Sequence, residues 1–388
     1  MRVLIAGGGP SGASLATLLA EQGWTVTLAD ALPSPLLNAY SSAAVPLADA
    51  DRLCIPHHCR SASWSGWQLL DPAGLEHQWW AGEPLGVVLD FAAFRSHLWR
   101  RVQRAGVELL CGWRVSLQQL RATSADVLLT SAGGAVRSCR ADVLVDATGP
   151  GRVLLRQAGV AVDSPTDPLL TGQGVEWLLQ GTPRTTARWR DRLSFMLGSN
   201  WVPHGYGWVF PMESDRLKIG VCRLAPPVET SRPLSVSLRK LVQRCGLEHL
   251  PVMDRHGGRV SSTVNRQEKL GDGALWSVGD AASSANLLGG EGIRHAMDSA
   301  AILSKCLLAG RPRQEYRSAL QQHFGWRWRV SNRLARRTWW GLDDQQADRR
   351  MARLIHGLSG QASAEGLSNL LFQYRFERYG WRLLPYLM

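Results

Sequence analysis

The first thirty residues combine short apolar runs with one helical pattern. An apolar run at residues 3–6 leads into three spaced glycines, and a helix-compatible stretch continues to about Gln22-Gly23. A second apolar run from Thr25 to Ala29 ends on Asp30. Short continuous apolar runs are typical of buried strands. The pattern therefore predicts a strand–helix–strand unit at the N-terminus.

Periodicity returns after residue 90. Residues 91–105 place their apolar side chains on one helix face, and residues 107–110 are strand-like. Residues 126–139 alternate on both sides of a Gly-Gly pair, which predicts a hairpin. The apolar run at residues 143–145 predicts one more buried strand. This order of elements suits an α/β domain with a small antiparallel insert.

The intervening segments are less regular. Residues 31–59 are rich in Pro, Ser and Ala, and they predict loop with one short helix. This stretch contains Cys54, His57, His58 and Cys59, but their spacing matches no common zinc pattern, so we expect no metal site. Residues 64–80 carry four tryptophans around an Asp-Pro-Ala-Gly turn and predict a hairpin.

The second half of the chain has a different pattern of apolar residues from the first half. Residues 160–265 hold several strand-like pieces and a helical stretch at 234–245, which predicts an antiparallel sheet in a second lobe. A strand at 275–278 and a long helix at 293–308 follow. The tail at 311–388 is helical in pattern and rich in Arg and aromatic residues. We expect a helical cap over a pocket, with a membrane-surface or partner-binding helix as the alternative.

The N-terminal glycines give the first chemical indication. In Gly7-x-Gly9-x-x-Gly12, the first glycine permits a tight turn, the second lets backbone approach a pyrophosphate, and the third lets the helix pack closely. The helix N-terminus offers N–H groups and partial positive charge to phosphates. Asp30 stands where a ribose-binding acid is expected. The residues assigned to a dinucleotide are Gly7, Gly9, Pro10, Ser11, Gly12 and Asp30.

The composition indicates the cellular location and the classes of partner. The 388 residues are 45% hydrophobic and carry a net charge of +12, with 17 Trp and seven scattered Cys. We expect a reduced, cytoplasmic location with membrane association as an addition. No zinc finger, RNP-like signature or long Lys/Arg run favours nucleic acid as a partner. The uncharged stretch after Arg2 contains the glycine turn, which argues against a signal peptide, and no other uncharged apolar run reaches the roughly 18–20 residues of a membrane-spanning helix.

Three motifs stand in one order: GGGPSG at 7–12, DATG at 146–149, and VGDAA…GGEGI between 278 and 293. Over residues 1–310 the chain resembles the FAD-dependent oxidoreductases of the aromatic-hydroxylase superfamily, which includes monooxygenases, halogenases, lycopene cyclases and geranylgeranyl reductases. The resemblance implies FAD as cofactor and a Rossmann-like FAD-binding domain of the glutathione-reductase type. It also implies that Ala147, Thr148 and Gly149 pass close to the FAD.

One stretch resembles the geranylgeranyl reductases in particular. Tyr206-x-Trp208-x-Phe210-Pro, followed by Gly220, is similar to the Y-x-W-x-F-P…G motif that lines their lipid pocket. On a strand, Tyr206, Trp208 and Phe210 share one face, so the resemblance implies an aromatic wall facing the flavin. The structural alternative is an ordinary core face.

The late motif carries further expectations. The resemblance assigns the ribityl chain to Asp280. A loop and helix start beside the flavin pyrimidine edge would stabilise negative charge there. Glu291 binds an Arg, caps the helix or acts as an acid near the flavin, and it is a weak catalytic candidate. The flavin-loop residues are Gly289, Gly290, Gly292 and Ile293.

The chain departs from its relatives in several places. No Arg follows the second strand before Arg52, and Phe91 replaces the Arg that often starts the next helix. Ser41-Ser42-Ala43 stands where the reductases have a Cys-Gly loop. Residues 60–110 contain no Lys, which disfavours a halogenase, and no acidic lycopene-cyclase motif is present.

The expected fold is α/β, with an FAD-binding domain, an antiparallel-sheet substrate domain and a helical C-terminal region. The discontinuous FAD-binding domain is expected at 1–60, 86–158 and 266–310. The substrate-binding domain is expected at 61–85 and 159–265, and the C-terminal helical cap at 311–388. The expected function is reduction of prenyl double bonds in a large apolar, isoprenoid-like substrate, with NAD(P)H or a reduced carrier as electron donor. A terpenoid or lycopene cyclase and a flavin monooxygenase remain alternatives.

Overall fold

The computed structural model describes residues 1–39, 41–160, 167–224 and 233–378. Its strands are β1 (Arg2–Ala6), β2 (Thr25–Asp30), β3 (Ala44–Pro46), β4 (Arg60–Trp64), β5 (Gly66–Leu70), β6 (Glu76–Trp80), β7 (Gly86–Leu89), β8 (Glu108–Cys111), β9 (Trp113–Leu120), β10 (Ala125–Ser131), β11 (Val136–Ala141), β12 (Val143–Asp146), β13 (Leu170–Gln180), β14 (Arg192–Leu197), β15 (Gly205–Met212), β16 (Arg216–Arg223), β17 (Val252–Ser262), β18 (Gly271–Asp272) and β19 (Leu275–Ser277). Its helices are α1 (Pro10–Ala20), α2 (Leu47–Arg52), α3 (Phe91–Arg104), α4 (Val153–Gln157), α5 (Pro183–Thr186), α6 (Leu234–Arg244), α7 (Ile293–Leu308), α8 (Arg313–Trp340), α9 (Gln345–Ser359) and α10 (Ala364–Phe372).

A six-stranded sheet organises the N-terminal part of the fold. Its order is β18-β19-β12-β1-β2-β8, and its strands are parallel except for β18. β1 therefore lies in the middle, and α1 packs against α7 and α3 on one face of the sheet. The antiparallel strands β9, β10 and β11 form the predicted insert. The predicted α/β fold class with this Rossmann-like sheet is confirmed.

A seven-stranded sheet forms the second layer, in the order β17-β13-β16-β15-β14-β5-β6. The predicted hairpin at residues 64–80 supplies β5 and β6. The sheet is antiparallel except at one place, where β14 and β5 are parallel. This pair joins two segments more than a hundred residues apart, so no local sequence pattern indicates it. Helix α6 packs behind the sheet, against β16 and β13.

A small sheet of β3, β7 and β4 connects the two larger ones. β3 lies inside the stretch that was predicted as loop with one helix, and α2 is that helix. Because β4 pairs with β7 across the predicted boundaries at 60/61 and 85/86, this small sheet draws on both proposed domains. Strands of three to five residues carry too little periodicity to be recognised from sequence.

Helices α8, α9 and α10 cover the aromatic face of the seven-stranded sheet. α8 is interrupted at Gly325, where φ is +67°. Side chains from α8–α10 share a core with Trp67 and Trp208 of the sheet, among them Trp339, Met351 and Leu367. Within the described residues, no helix is both long and apolar enough to cross a membrane. The end of the predicted tail, residues 379–388, lies outside the described residues.

Candidate active site

The glycine turn after β1 has the geometry of a dinucleotide cradle. Gly7 has a φ of +109°, and a Cβ there would lie 2.3 Å from the carbonyl oxygen of Ala147. A Cβ on Gly12 would lie 1.9 Å from the carbonyl oxygen of Gly7, so α1 begins directly against the turn. Nothing lies within 4 Å of a Cβ on Gly9. The turn is thus tightly packed at Gly7 and Gly12 and open at Gly9. At this open side, the first-turn N–H groups of α1 are free to bind an anionic ligand.

Asp30 holds the open side of this turn in place. Its carboxylate accepts hydrogen bonds from the backbone N–H groups of Gly8, at 2.6 Å, and Leu32, at 2.8 Å. The buried indole of Trp99 donates to the carbonyl of Gly8 at 2.8 Å. The predicted ribose-binding acid therefore lies beside the glycine turn, as its position at the end of β2 requires.

The Asp-Ala-Thr-Gly turn after β12 is shaped by its own aspartate. The fully buried Asp146 accepts from both the N–H and the hydroxyl of Thr148, and from the N–H groups of Leu154 and Leu155 at the start of α4. These bonds cap α4 and bring Ala147 against Gly7. Asp146 thus stabilises this turn, and residues 147–149 lie next to the glycine turn after β1.

Asp280 follows β19 on the other side of the cradle. Burial raises the pKa of its carboxyl to about 6, although a hydrogen bond from Ser261 N–H and the charge of Arg152 oppose this shift. Arg152 is 1% exposed and donates to the hydroxyl of Ser283 at 2.7 Å. Sequence reasoning missed this arginine, although it stands only three residues after the Asp-Ala-Thr-Gly motif.

The loop before α7 forms a tight hairpin aimed at the aromatic sheet. Asn286 and Glu291 exchange two backbone hydrogen bonds, of 2.7 and 2.9 Å. Gly290 at the tip has a φ of +71°, and a Cβ there would lie 2.6 Å from the hydroxyl of Tyr206. The Asn332 side chain of α8 accepts from Leu287 N–H. The predicted flavin loop and the predicted pocket wall are therefore in direct contact.

The side chain of Glu291 is hydrogen-bonded to Arg294 in the first turn of α7. Its two carboxylate oxygens accept from the guanidinium of Arg294 at 2.6 and 3.2 Å, and one of them also accepts from Tyr374 at 2.9 Å. Arg294 further donates to Asp49 of α2 and to the carbonyl of Phe372. This buried network joins the start of α7 to α2 and to the C-terminal segment. The arginine-binding role was one of three expected for Glu291.

Tyr206, Trp208 and Phe210 lie on one buried face of β15. Trp208 stands opposite Gly220 of β16, where a Cβ would lie 2.2 Å from its indole. Gly220 thus makes room for Trp208, which is a physical reason for a glycine at this distance after the aromatic motif.

A cavity of about 300 Å³ opens over this wall. Gly289 and Gly290 of the flavin loop border it on one side, with Ser41 and Ser42. Its floor on β13 and β17 contains four glycines, among them Gly174 and Gly258. We call it the glycine-floored cavity.

The glycine-floored cavity also contains a polar group that sequence reasoning missed. Glu176 of β13 is 3% exposed and accepts from the indole N–H of Trp208 at 2.7 Å. Its other oxygen lies 2.8 Å from Nε2 of His256 on β17. The two residues meet because the β13–β17 register places them opposite each other.

A second cavity, of about 140 Å³, is lined almost entirely by apolar side chains. It lies between the sheet and α8–α10, and it meets the glycine-floored cavity at Phe195, Tyr206 and Trp339. We call it the apolar channel. Its helical side is formed by Leu334 of α8, Leu354 and Leu358 of α9, and Leu367 and Leu370 of α10.

Two buried cations hold the loop between β2 and β3. Lys218 of β16 donates to the carbonyls of Ser41, at 2.6 Å, and Leu89, at 3.0 Å. Burial lowers the pKa of its amine. Arg95 of α3 donates to the carbonyls of Pro35 and Leu37. Neither role was predicted, because the sequence shows only an Arg one turn after Phe91 and one Lys within a strand.

Comparison with known proteins agrees with these geometries. No family model matches the chain. Digeranylgeranylglycerophospholipid reductase 1 from Methanococcoides burtonii is 23% identical over 361 residues, which is 89% of this chain and 85% of that protein. Menaquinone reductase from Mycolicibacterium smegmatis is 26% identical over 369 residues, covering 86% and 83%.

Among solved structures, a geranylgeranyl bacteriochlorophyll reductase-like protein from Thermoplasma acidophilum matches with a TM-score of 0.80 at 20% identity, over 99% of this chain and 98% of that one. Over nearly its whole length, the chain is thus similar in sequence to prenyl-lipid and quinone reductases and in fold to a geranylgeranyl reductase-like protein. A halogenase structure containing FAD matches with a TM-score of 0.66 at 15% identity, over 95% and 85%. This chain thus shares its fold with a protein that holds FAD, and the resemblance drawn from the three motifs is confirmed.

Proposed function

We propose that the protein is an FAD-dependent reductase of isolated double bonds in a prenyl chain. The observation that carries this proposal is the junction of the two cavities at Tyr206. The glycine-floored cavity borders the flavin loop, and the apolar channel extends from it under the C-terminal helices. A long hydrocarbon fits such a channel, because every methylene buried there contributes about 0.8 kcal/mol.

The residues present fit FAD. The space at Gly9 and the N-terminus of α1 would take the pyrophosphate, and Asp30, beside Gly8, would bind the adenosine ribose. Residues 147–149 would contact the same cofactor. Asp280 would bind the ribityl chain. The ring would lie between the 286–291 loop and the Ser41-Ser42 segment, facing the wall of Tyr206, Trp208 and Phe210. Bound and reduced, FAD supplies hydride, while the aromatic wall orients the alkene and excludes water.

The test begins with the purified protein. Its flavin is released and identified as FAD or FMN, and then reduction is compared with NADH, NADPH, a reduced ferredoxin-type carrier and dithionite. The reduced protein is mixed anaerobically with a geranylgeranyl lipid or with menaquinone. We expect flavin reoxidation and a product that has gained two hydrogens for each double bond reduced.

Other outcomes would overturn the proposal. A product of unchanged mass would identify a cyclase. Reoxidation only in air, with an oxygen atom added to the product, would identify a monooxygenase. A protein that takes up no flavin would exclude all three activities.

We also propose that α8 contacts an anionic membrane surface from which such a substrate is taken. Arg329, Arg333 and Arg337 are exposed at four-residue spacing on α8, and Trp326 is 50% exposed near them. Arginine stems and tryptophan are suited to the lipid–water interface. Vesicles with phosphatidylglycerol should sediment the protein, and replacement of the three arginines by Glu should abolish this. Equal sedimentation of both proteins would contradict the membrane contact.

A further inference from the structure

The reduction of an alkene needs a proton as well as a hydride, and the two cavities offer few sources of one. The apolar channel presents hydrocarbon side chains and Thr338 along most of its length. Tyr206 and Cys222 line the glycine-floored cavity, but burial raises the pKa of Tyr206 well above its ordinary value and that of Cys222 to about 12. Donation from either would leave an anion in an apolar site.

The pair of Glu176 and His256 differs because it reaches solvent. Nε2 of His256 lies 2.8 Å from Glu176, and Nδ1 lies 3.3 Å from the carboxylate of Asp254. The side chains of Glu176 and His256 are 4% and 8% exposed, whereas that of Asp254 is 59% exposed. The three residues therefore form a hydrogen-bonded path from the surface to the cavity.

We infer that the Glu176–His256 pair stores the proton for the proposed reduction and delivers it from the Glu176 carboxyl to a substrate carbon in the glycine-floored cavity. This inference rests on the proposed function. The π bond breaks, one new C–H bond takes the hydride of reduced flavin, and the other takes the proton of Glu176. Glu176 is then reprotonated through His256 from solvent beside Asp254. The flavin is left oxidised and the substrate is reduced by two electrons.

The surroundings of Glu176 suit this role. The indole N–H of Trp208 fixes one carboxyl oxygen, so the other is held toward His256. The charged and titratable groups around it include His256 and Asp254 of β17 and Lys218 of β16. Cys222 and Arg223 of β16 and Arg259 of β17 line the same cavity. The glycines beside the pair leave space for substrate rather than side chains.

The inference is tested by single-turnover kinetics on the flavin-loaded protein. Reduced wild type, Glu176→Gln and His256→Gln are mixed with a saturating prenyl substrate over a range of pH, and flavin reoxidation is followed. Gln retains the hydrogen bond from Trp208 but cannot donate an acidic proton. We expect Glu176→Gln to slow reoxidation by about 100-fold or more, the usual contribution of a general acid. We also expect it to abolish the fall in rate at high pH.

His256→Gln should slow repeated turnovers more than the first, because only reloading of Glu176 is impaired. Substrate affinity, measured by tryptophan quenching, and flavin content should be unchanged in both variants. Glu248→Gln, which alters an exposed carboxylate, is the matched control.

The outcomes separate the two proposals. If wild type is not reoxidised by any prenyl substrate, the proposed function fails. If wild type reacts and Glu176→Gln keeps its rate and pH profile, the proton-delivery role alone is overturned. It is also overturned if the variant loses substrate affinity but retains the rate at saturation, since Glu176 would then bind substrate only.

Discussion

At the scale of single residues, the fit between Gly220 and Trp208 decides the shape of the pocket wall. An added methyl at Gly220 would lie 2.2 Å from the indole, which is itself held by Glu176. Overpacking of this kind costs about 1–3 kcal/mol. Gly220→Ala should therefore displace Trp208, lower the urea midpoint and reduce prenyl-dependent flavin reoxidation. Gly82→Ala, at an exposed position where nothing lies within 4 Å of an added Cβ, is the matched control.

The double variant Gly220→Ala/Trp208→Phe checks the cause, because the smaller ring relieves the contact. It should regain part of the lost stability. If the double variant is less stable than Gly220→Ala alone, then the clash with Trp208 is not the reason for the defect.

Asp280 should make the stability of the flavin-free protein depend on pH. Its pKa rises from 3.8 to about 6 on burial, so the ionised carboxylate opposes folding above about pH 6. This opposition disappears as pH falls from about 6 toward 3.8. Asp280→Asn should thus stabilise the flavin-free protein against urea at pH 8, with an advantage that vanishes near pH 4. A constant difference across this range would contradict the expectation.

The sequence predicted those parts of the site whose geometry is local. Gly7 and Gly12 are required by contacts within a single turn, and the alternation of Tyr206, Trp208 and Phe210 follows from strand geometry. Residues that meet through sheet pairing were missed. Glu176 and His256 are eighty positions apart and become neighbours only through the β13–β17 register, which no single-strand pattern encodes.

At the scale of elements, the Glu291–Arg294 pair fixes the start of α7 against α2 and the C-terminal segment. The two side chains are 6% and 12% exposed. Removing one partner of a buried pair costs about 3–5 kcal/mol, because the other charge is left uncompensated. Glu291→Gln should therefore lower the free energy of unfolding strongly. In Glu291→Gln/Arg294→Met the loss should be smaller.

The control for this pair is Glu315→Gln at the exposed Arg311–Glu315 pair, which should change stability by no more than about 0.5 kcal/mol. The reoxidation rate per bound flavin distinguishes support from chemistry. A Glu291→Gln protein of undiminished stability that no longer turns over would show that Glu291 takes part in the reaction.

At the scale of the whole molecule, the C-terminal helices close an apolar channel over the seven-stranded sheet. The six-stranded sheet carries the dinucleotide cradle, and the seven-stranded sheet carries the aromatic wall. The apolar channel exists only where α8–α10 close over that wall. The length of hydrocarbon accepted should thus depend on α9 and α10, far from the flavin loop.

Leu354 of α9 tests this division, because it lines the apolar channel but not the glycine-floored cavity. Leu354→Trp should fill part of the channel and lower kcat/KM for a geranylgeranyl substrate about tenfold or more, since burial of two or more methylenes at about 0.8 kcal/mol each is lost. A geranyl substrate, which is half as long, should be nearly unaffected. Leu308→Trp, at a 39% exposed position at the end of α7, controls for the added indole. Equal losses for both substrates in Leu354→Trp would mean that the channel does not hold the distal part of the chain.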